Sequence, residues 1–263
     1  MKIIVCAKQV PDTNEVKIDP VKNTLIREGV PSILNHDDAN ALEEALKIKD
    51  KFPDTHITVI SMGPPQAVSM LRDCLALGAD EAVLLSDKAL GGSDTWATSN
   101  ALTAAIKKIG SYDIIFAGRQ AIDGDTAQVG PQTAEKLDIP QVTYVKELVA
   151  INGKTLTVKR ALENGYELIE LQTPCLLTAV KELNTPRYAT VCGIYDACQK
   201  AIPTWSADDI GVDREKVGLK ASPTNVFRSF TPLPKGKGVS VEGDTAAELA
   251  ANFIAGLKEK QML

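Results

Sequence analysis

Short apolar runs alternate with amphipathic stretches through the first half of the chain. Ile3–Ala7, Ile57–Met62, Ala82–Leu85 and Ile114–Ala117 are brief, rich in Val and Ile, and almost without polar positions. Such runs predict parallel strands covered on both faces. Between them, Ala41, Leu42, Ala45, Leu46, Ile48 and Phe52 recur at helical spacing after a start signal at Asn35–Asp38, and Pro53 closes the segment. A second helix is predicted from Pro65 to Leu77, with Pro65 in its first turn and Gly78 as its C-terminal cap. A third runs from Thr95 to Ile109 and stops at Gly110, and a fourth follows Asp125 and ends near Leu137, before Pro140. This alternation predicts an α/β fold with a doubly wound parallel sheet, right-handed crossovers, and ligands beyond the carboxyl ends of the strands. Between Pro11 and Pro31, VKID and TLIRE flank an Asn-containing turn and predict a small hairpin excursion.

From Val142 the period changes. Val142–Val149, Thr155–Arg160 and Tyr166–Leu171 are separated by Asn152-Gly153 and Asn164-Gly165, strong signals for tight hairpins. Pro174 opens one more apolar strand, CLLTAV. The expectation is an antiparallel meander extending one edge of the sheet. Beyond Lys200 the pattern breaks up around Pro203, Pro223, Pro232 and Pro234, with Trp205, Ile210, Val217, Leu219, Val226, Phe227 and Phe230 set singly. Only Thr245–Lys258 is convincingly amphipathic, with Asp244 as its N-cap. Residues 1–200 are therefore read as the α/β domain. Residues 201–263 are read as a long C-terminal arm that buries its large side chains on a partner. The alternative is a flexible linker ending in a helix docked on its own domain.

Composition narrows the function. Of 263 residues, 44% are hydrophobic and 24% charged, ordinary for a globular protein with a full core. Aromatics at 5%, a net charge of −5 and the absence of a basic run argue against nucleic-acid binding. The apolar N-terminal stretch meets Lys8 at once, so it reads as a buried strand and not a signal peptide. No segment approaches a membrane span, and the expected location is the cytoplasm. Five cysteines (Cys6, Cys74, Cys175, Cys192 and Cys198) without a CxxC argue against a disulfide framework or zinc site, and most are expected in the core. With only His36 and His56, no metal site is expected.

The chemistry sits in loops. Gly118–Leu137, GRQAIDGDTAQVGPQTAEKL, leaves a buried strand and enters a helix. Gly118 and Gly124 allow close approach or positive φ, and Thr126, Gln128 and the opening N–H groups of the helix can donate to phosphate. Asp123 and Asp125 would repel phosphate and are assigned to capping or to hydroxyl groups. Taken alone, such a loop is more often an ordinary capped connection than a ligand site. Gly91–Thr95, GGSDT, is a second candidate cradle, with Ser93 and Thr95 as donors; an N-cap with a flexible lead-in fits it equally well. The turns after Val5–Lys8 and at Ser61–Pro64 should reach the same rim, where Gly63, Gly91 and Gly92 leave backbone open. His36 with Asp37 and Asp38 is read as capping, since no nucleophile accompanies it. No catalytic residue is assigned. A site that holds a ligand without covalent equipment favours a redox carrier whose cofactor supplies the reactivity.

Val158–Ala179, VKRALENGYELIELQTPCLLTA, resembles the signature segment of electron-transfer flavoprotein beta subunits. VCAKQVPDT resembles that family's first strand, GRQAIDGDTAQVGPQTA its nucleotide loop, and Val180–Thr190, VKELNTPRYAT, its partner-recognition loop. The resemblance runs in order from the first strand to about Lys200. It implies an adenine-nucleotide alpha-hydrolase-like sheet and a heterodimer with an alpha subunit carrying a mobile FAD domain. It places the beta nucleotide against Cys6, Ala7, Lys8, Asn35, His36, Asp37, Asp38, Met62 and Gly63. The ligand would also meet Gly118, Arg119, Gln120, Ala121, Ile122, Asp123, Gly124, Asp125, Thr126, Ala127, Gln128 and Val129. It further implies that Leu183 anchors a flavin dehydrogenase of the acyl-CoA, enoyl-CoA or 2-hydroxy-acid type, with Pro186, Arg187 and Tyr188 around it, Arg187 and Tyr188 as supports. Where some members carry a lysine-rich run after this loop, the chain reads DACQK.

The family divides by ligand. Respiratory members hold AMP in the beta subunit. Bifurcating members hold a second FAD that takes hydride from NADH and divides electrons between ferredoxin and the alpha-subunit FAD. GGSDTWATS resembles the bifurcating type, which would place Asp94 and Thr95 on the FAD diphosphate or ribityl region. Three expectations stand: an FAD-binding bifurcating subunit, an AMP-binding simple carrier, and a stand-alone nucleotide-binding sensor or hydrolase.

Overall fold

The computed structural model describes residues 1–12, 31–227 and 236–263. The chain opens with β1 (Lys2–Cys6), β2 (Gln9–Pro11), β3 (Ser32–Leu34) and α1 (His36–Lys51), then β4 (His56–Met62), α2 (Val68–Leu77) and β5 (Glu81–Leu85). It continues through α3 (Thr95–Ile109), β6 (Ile114–Gly118) and α4 (Val129–Leu137), then β7 (Gln141–Asn152), β8 (Thr155–Leu162), β9 (Gly165–Gln172) and β10 (Cys175–Ala179). Last come α5 (Val191–Gln199), β11 (Thr204–Trp205), α6 (Gly218–Ala221) and α7 (Ala246–Glu259).

Among the described residues, nine strands form one sheet in the order β11-β5-β4-β1-β6-β10-β7-β8-β9. The strands from β11 to β7 run parallel, and β8 and β9 add the antiparallel meander. The chain builds outward from β1 to β4 and β5, then crosses back to place β6 on the other flank of β1. The crevice between the carboxyl ends of β1 and β6 is therefore a topological switch point, where open α/β sheets bind ligands. The hairpin expected between Pro11 and Pro31 lies largely outside the described residues; its flanks, β2 and β3, pair antiparallel.

Side-chain alternation explains the unbroken apolar runs. Ile3 and Val5 point into one core layer with Ile57, Val59 and Phe116, under α1 and α2. Ile4 points into the other with Ile60, Ile115 and the Leu102 and Ile106 face of α3. Both faces are buried, so the runs show no apolar–polar alternation, and the polar Thr58 and Ser61 of β4 are buried with the rest.

The boundary expected at Lys200 moves. The chain divides into residues 1–227 and 228–263. Thr204 and Trp205 pair with Leu84 and Leu85 as a further parallel strand, and Ile210 and Val217 are buried in the α3 core layer. These spaced apolar residues cover the sheet's own edge and do not wait for a partner. Val226 and Phe227 stay exposed, and Phe230 lies outside the described residues. In the second unit, α7 starts from Thr245, not Asp244. Thr245 Oγ1 accepts from Glu248 N–H at 3.2 Å, and Glu248 Oε2 accepts from Asp244 N–H at 3.0 Å, a reciprocal cap. Cys74 and Cys175 are core residues as expected, whereas Cys192 and Cys198 are exposed on α5. No helix among the described residues is long and apolar enough to cross a membrane.

Gly130 shows how tightly α4 sits on the sheet. A Cβ there would stand 2.8 Å from Thr178 Cγ2 of β10. Gly→Ala inside a helix ordinarily stabilises by about 1 kcal/mol. Gly130→Ala should instead destabilise by about 1–3 kcal/mol through overpacking, read from urea unfolding midpoints. A gain in stability would refute this packing.

Candidate functional site

The rim over the switch point is organised by α1. Asp38 is buried at the start of that helix, and its two carboxylate oxygens each accept a backbone N–H. Lys8 N–H donates to Oδ2 and Gly118 N–H to Oδ1, both at 2.8 Å. One side chain thus ties the ends of β1 and β6 together. A Cβ at Gly118 would collide with Asp38 Oδ1 and the Asp37–Asp38 backbone, so glycine is needed there for the helix to approach, not for a ligand. Burial pushes the Asp38 carboxyl up to about 7, opposed by the N–H donors of Lys8 and Gly118 and by the Asn35 side chain.

The expected caps are used differently. Asn35 does not cap α1 with its side chain. Instead its Nδ2 donates to Gln120 O at 2.8 Å and its Oδ1 accepts from Ile122 N–H at 3.1 Å, fixing the loop after β6. His36 is exposed in the first turn, and Asp37 lies 3.3 Å from Arg119 Nε. Burial raises the Asp37 carboxyl, and Arg119 draws it back down. Arg119 also lies 5.9 Å from the ring centroid of Tyr144, whose φ of 58° marks an irregularity in β7. Asp123 accepts from Lys8 Nζ at 2.6 Å, and Asp125 from Gln120 Nε2 at 2.7 Å. Both of these acidic groups of the rim accept from donors of their own chain. The Cys6 thiol, pushed up to about 12 by burial and by Asp38, is a neutral wall residue. Met62 packs against the α3 core layer, and Gly63 N–H bonds Leu85 O at 3.0 Å.

Helix α4 begins at Val129, later than the sequence pattern predicts. Asp125 and Ala127 hold φ of 48° and 52°, outside helical space, and the N–H groups of Gly124 and Asp125 turn back to Ala121 O. Gly124 itself is not left-handed; the strain falls on Asp125 and Ala127. Gln128 provides no side-chain cap. A left-handed Ala127 before a right-handed Gln128 makes the kind of backbone concavity that binds anions, beside an uncapped helix start. This donor set fits a phosphate group.

The second cradle is on the same rim but is occupied by its own chain. Thr95 Oγ1 donates to Gln128 Oε1 at 2.7 Å, joining the starts of α3 and α4. Asp94 caps α3, its Oδ1 accepting from Ala97 N–H, while Oδ2 accepts from Thr224 N–H at 2.9 Å. Gly91 O accepts from Leu219 N–H, Ser93 Oγ accepts from Gly218 N–H, and Leu219 covers Gly92. The backbone left open by Gly91 and Gly92 thus receives α6.

The 180–190 loop differs most from expectation. Leu183 is 7% exposed, packed in the core layer under α1, and offers no outward anchor. Its place follows from the short turn at Lys181–Leu183, which folds the leucine inward. Arg187 does brace the loop, pairing with Glu43 and Asp50 of α1, and Pro186 is half-buried. Tyr188, expected as a support, is 95% exposed, and Val191 is 84% exposed. Sequence reasoning missed Asn40, Glu43 and Glu44, which are buried beneath this loop. Their only signal was polarity within an otherwise apolar helical segment.

The electron transfer flavoprotein domain matches residues 22–210. The chain belongs to the electron transfer flavoprotein family. It is 61% identical over 263 residues, the whole of both chains, to the caffeyl-CoA reductase-Etf complex subunit CarD of Acetobacterium woodii. It is 59% identical over the whole of both chains to the electron transfer flavoprotein subunit beta of Clostridium acetobutylicum. With the acryloyl-CoA reductase electron transfer subunit gamma of Anaerotignum propionicum it shares 47% identity, again over the full length of both. Within the family the chain is a beta-type electron-transfer subunit, which displaces the reading of a stand-alone sensor or hydrolase.

Asp38 gives a pH-dependent test. Its carboxyl rises from an ordinary 3.8 to about 7 in the fold. The folded chain therefore holds a proton there that the unfolded chain has released. This contribution is present in full below pH 3.8 and is lost as pH rises to about 7. Asp38→Asn removes the titration and leaves Lys8 N–H or Gly118 N–H without an acceptor, at a cost of about 1–3 kcal/mol. The stability difference between wild type and variant should shrink from pH 4 to pH 7 in guanidinium titrations; a difference that grows would contradict the assignment.

Proposed function

We propose that this subunit holds an adenine nucleotide on the 118–129 loop and, joined to an electron transfer flavoprotein alpha subunit, passes electrons to a flavin-dependent reductase of CoA-linked unsaturated acids. The observation that carries this reading is the uncapped start of α4 behind left-handed Asp125 and Ala127, beside the switch point. Thr126, Gln128 and the first N–H groups of α4 would hold the phosphates. Lys8, kept at the rim by Asp123, supplies positive charge. Cys6, Ala7 and Met62 would form the floor of the site, with Asn35 buried behind the loop it bonds. The substrate class rests on two relatives, named for caffeyl-CoA and acryloyl-CoA reductase systems. A 2-hydroxy-acid dehydrogenase gains no comparable support.

FAD is the preferred ligand, with NADH as hydride donor and ferredoxin as the second acceptor in a bifurcating scheme. When bound, such a flavin supplies both two-electron and one-electron chemistry. The protein's part is to bind, orient and shield it. AMP is the second reading, and one observation favours it: Gly91 N–H, Ser93 Oγ and Asp94 N–H already donate to Lys88 O, Leu90 O and Ser222 Oγ within this chain, so donors for a second, distal half are fewer. The partner-facing surface is reassigned from Leu183 to the exposed Tyr188 and Val191.

Two measurements bear on this. Released nucleotide from the purified heterodimer should contain two FAD and no AMP; one FAD with one AMP would select the simple carrier. Tyr188→Ala with Val191→Ala should raise KM for a flavin-dependent enoyl-CoA reductase roughly tenfold or more, as removal of exposed anchors does, with flavin content unchanged. An unaltered KM would remove this surface from the docking site.

A further inference from the structure

Helix α1 carries three buried polar side chains that the nucleotide site does not use. Asn40, Glu43 and Glu44 are 4%, 6% and 4% exposed, and all three meet the 180–190 loop. Asn40 Nδ2 donates to Asn184 O at 2.8 Å, and Asn184 Nδ2 returns a bond to Asn40 O at 3.0 Å. The same Asn184 Nδ2 donates to Glu44 Oε2 at 2.9 Å. Arg187 grips Glu43 with both forks of its guanidinium, Nε to Oε2 at 2.9 Å and Nη2 to Oε1 at 3.0 Å, and its backbone N–H adds a third bond to Oε2 at 3.0 Å. Nη2 also reaches Asp50 Oδ2 at 2.7 Å. Just beyond, Thr190 Oγ1 accepts from Gly193 N–H to cap α5, and a Cβ at Gly193 would strike Ala76 O, so α5 lies hard against α2. The loop is thus fastened on both sides of Tyr188, which is almost wholly exposed.

We propose that Asn40, Glu43 and Glu44 are positioning residues for partner docking, with Glu43 the principal one. They fix the loop on α1 so that Tyr188 and Val191 are presented in one arrangement before a partner arrives. The inference rests on the reading of Tyr188 and Val191 as the docking surface. The physical warrant is preorganisation: a loop ordered in advance costs less to bind, and bidentate Arg–carboxylate pairs are the hydrogen bonds best suited to enforce one geometry. Apolar side chains in these positions could bury the same area but could not hold a loop whose own bonding groups are a guanidinium, an amide and backbone.

The test uses the purified heterodimer and a flavin-dependent enoyl-CoA reductase as the probe. Glu43→Gln keeps size but loses the charge that pairs with Arg187. KM for the reductase should rise roughly tenfold with kcat within about twofold, as a loss of loop preorganisation requires. Bound flavin should be unchanged, and amide exchange across residues 181–190 should quicken about tenfold. Asn184→Ala, a milder change on the loop itself, should move both readouts in the same direction by less, and it keeps the test valid if Glu43→Gln folds poorly. An unchanged KM in both variants overturns the positioning role, whatever the exchange rates. A raised KM with unchanged exchange overturns it as well. Failure of the docking reading itself is seen separately, as an unaltered KM when Tyr188 and Val191 are replaced.

Discussion

Everything at the rim depends on one carboxylate that bonds two strand ends. Asp38 accepts from Lys8 on β1 and from Gly118 on β6, strands that neighbour each other where the chain order of the sheet reverses. At a switch point the two following loops run in opposite directions and nothing in the sheet ladder holds them together. A short acidic side chain at a helix start, where N–H groups and macrodipole favour negative charge, joins them. The cost is a buried carboxyl raised to about 7, and the sequence consequence is a glycine at 118 that no other residue could replace without displacing the helix.

From that tie the rest of α1 follows. Its apolar positions, Ala41, Leu42, Ala45 and Leu46, meet the sheet, while Asn40, Glu43 and Glu44 lie beneath the 180–190 loop. Where such a helix buries polar residues, it must find bonding partners for them, because unpaired buried charge is costly. The loop supplies them through Asn184 and Arg187. One rigid helix therefore holds the loop after β6 at its start and the 180–190 loop along its length, and the distance between the two is set by helix geometry.

The sheet was legible because its physics is local. Short continuous Val and Ile runs bounded by turn residues fit strands covered twice, and Asn-Gly at 152 and 164 is the strongest local signal for a hairpin. The rim was legible as a place, since the turns at 8, 63, 95 and 118 all leave the same ends of parallel strands. What each side chain does there was not. Asn35 reads as a cap by type, yet it bonds a loop eighty-five residues on. Leu183 reads as exposed among polar neighbours, yet a single 3-10 turn rotates it into the core. The segment from 204 to 222 shows no period because it touches the sheet edge and α3 at scattered points, so its burial is purely tertiary.

The chain just beyond that segment, at Thr224, also sets the character of the rim. Two helix starts flank the rim, joined by the bond between Thr95 and Gln128. By chain geometry alone they look equivalent. They differ because α3 is capped by Asp94, whose second oxygen is bonded to Thr224, while α4 has no side-chain cap. A phosphate approaching α4 meets N–H groups in need of an acceptor, whereas one approaching α3 must compete with a carboxylate already in place. The anion-binding strength of the rim is accordingly one-sided. On the proposed reading of this rim as a nucleotide site, a phosphate would find its open donors at α4, and a longer ligand would have to compete with the Asp94–Thr224 contact to use α3.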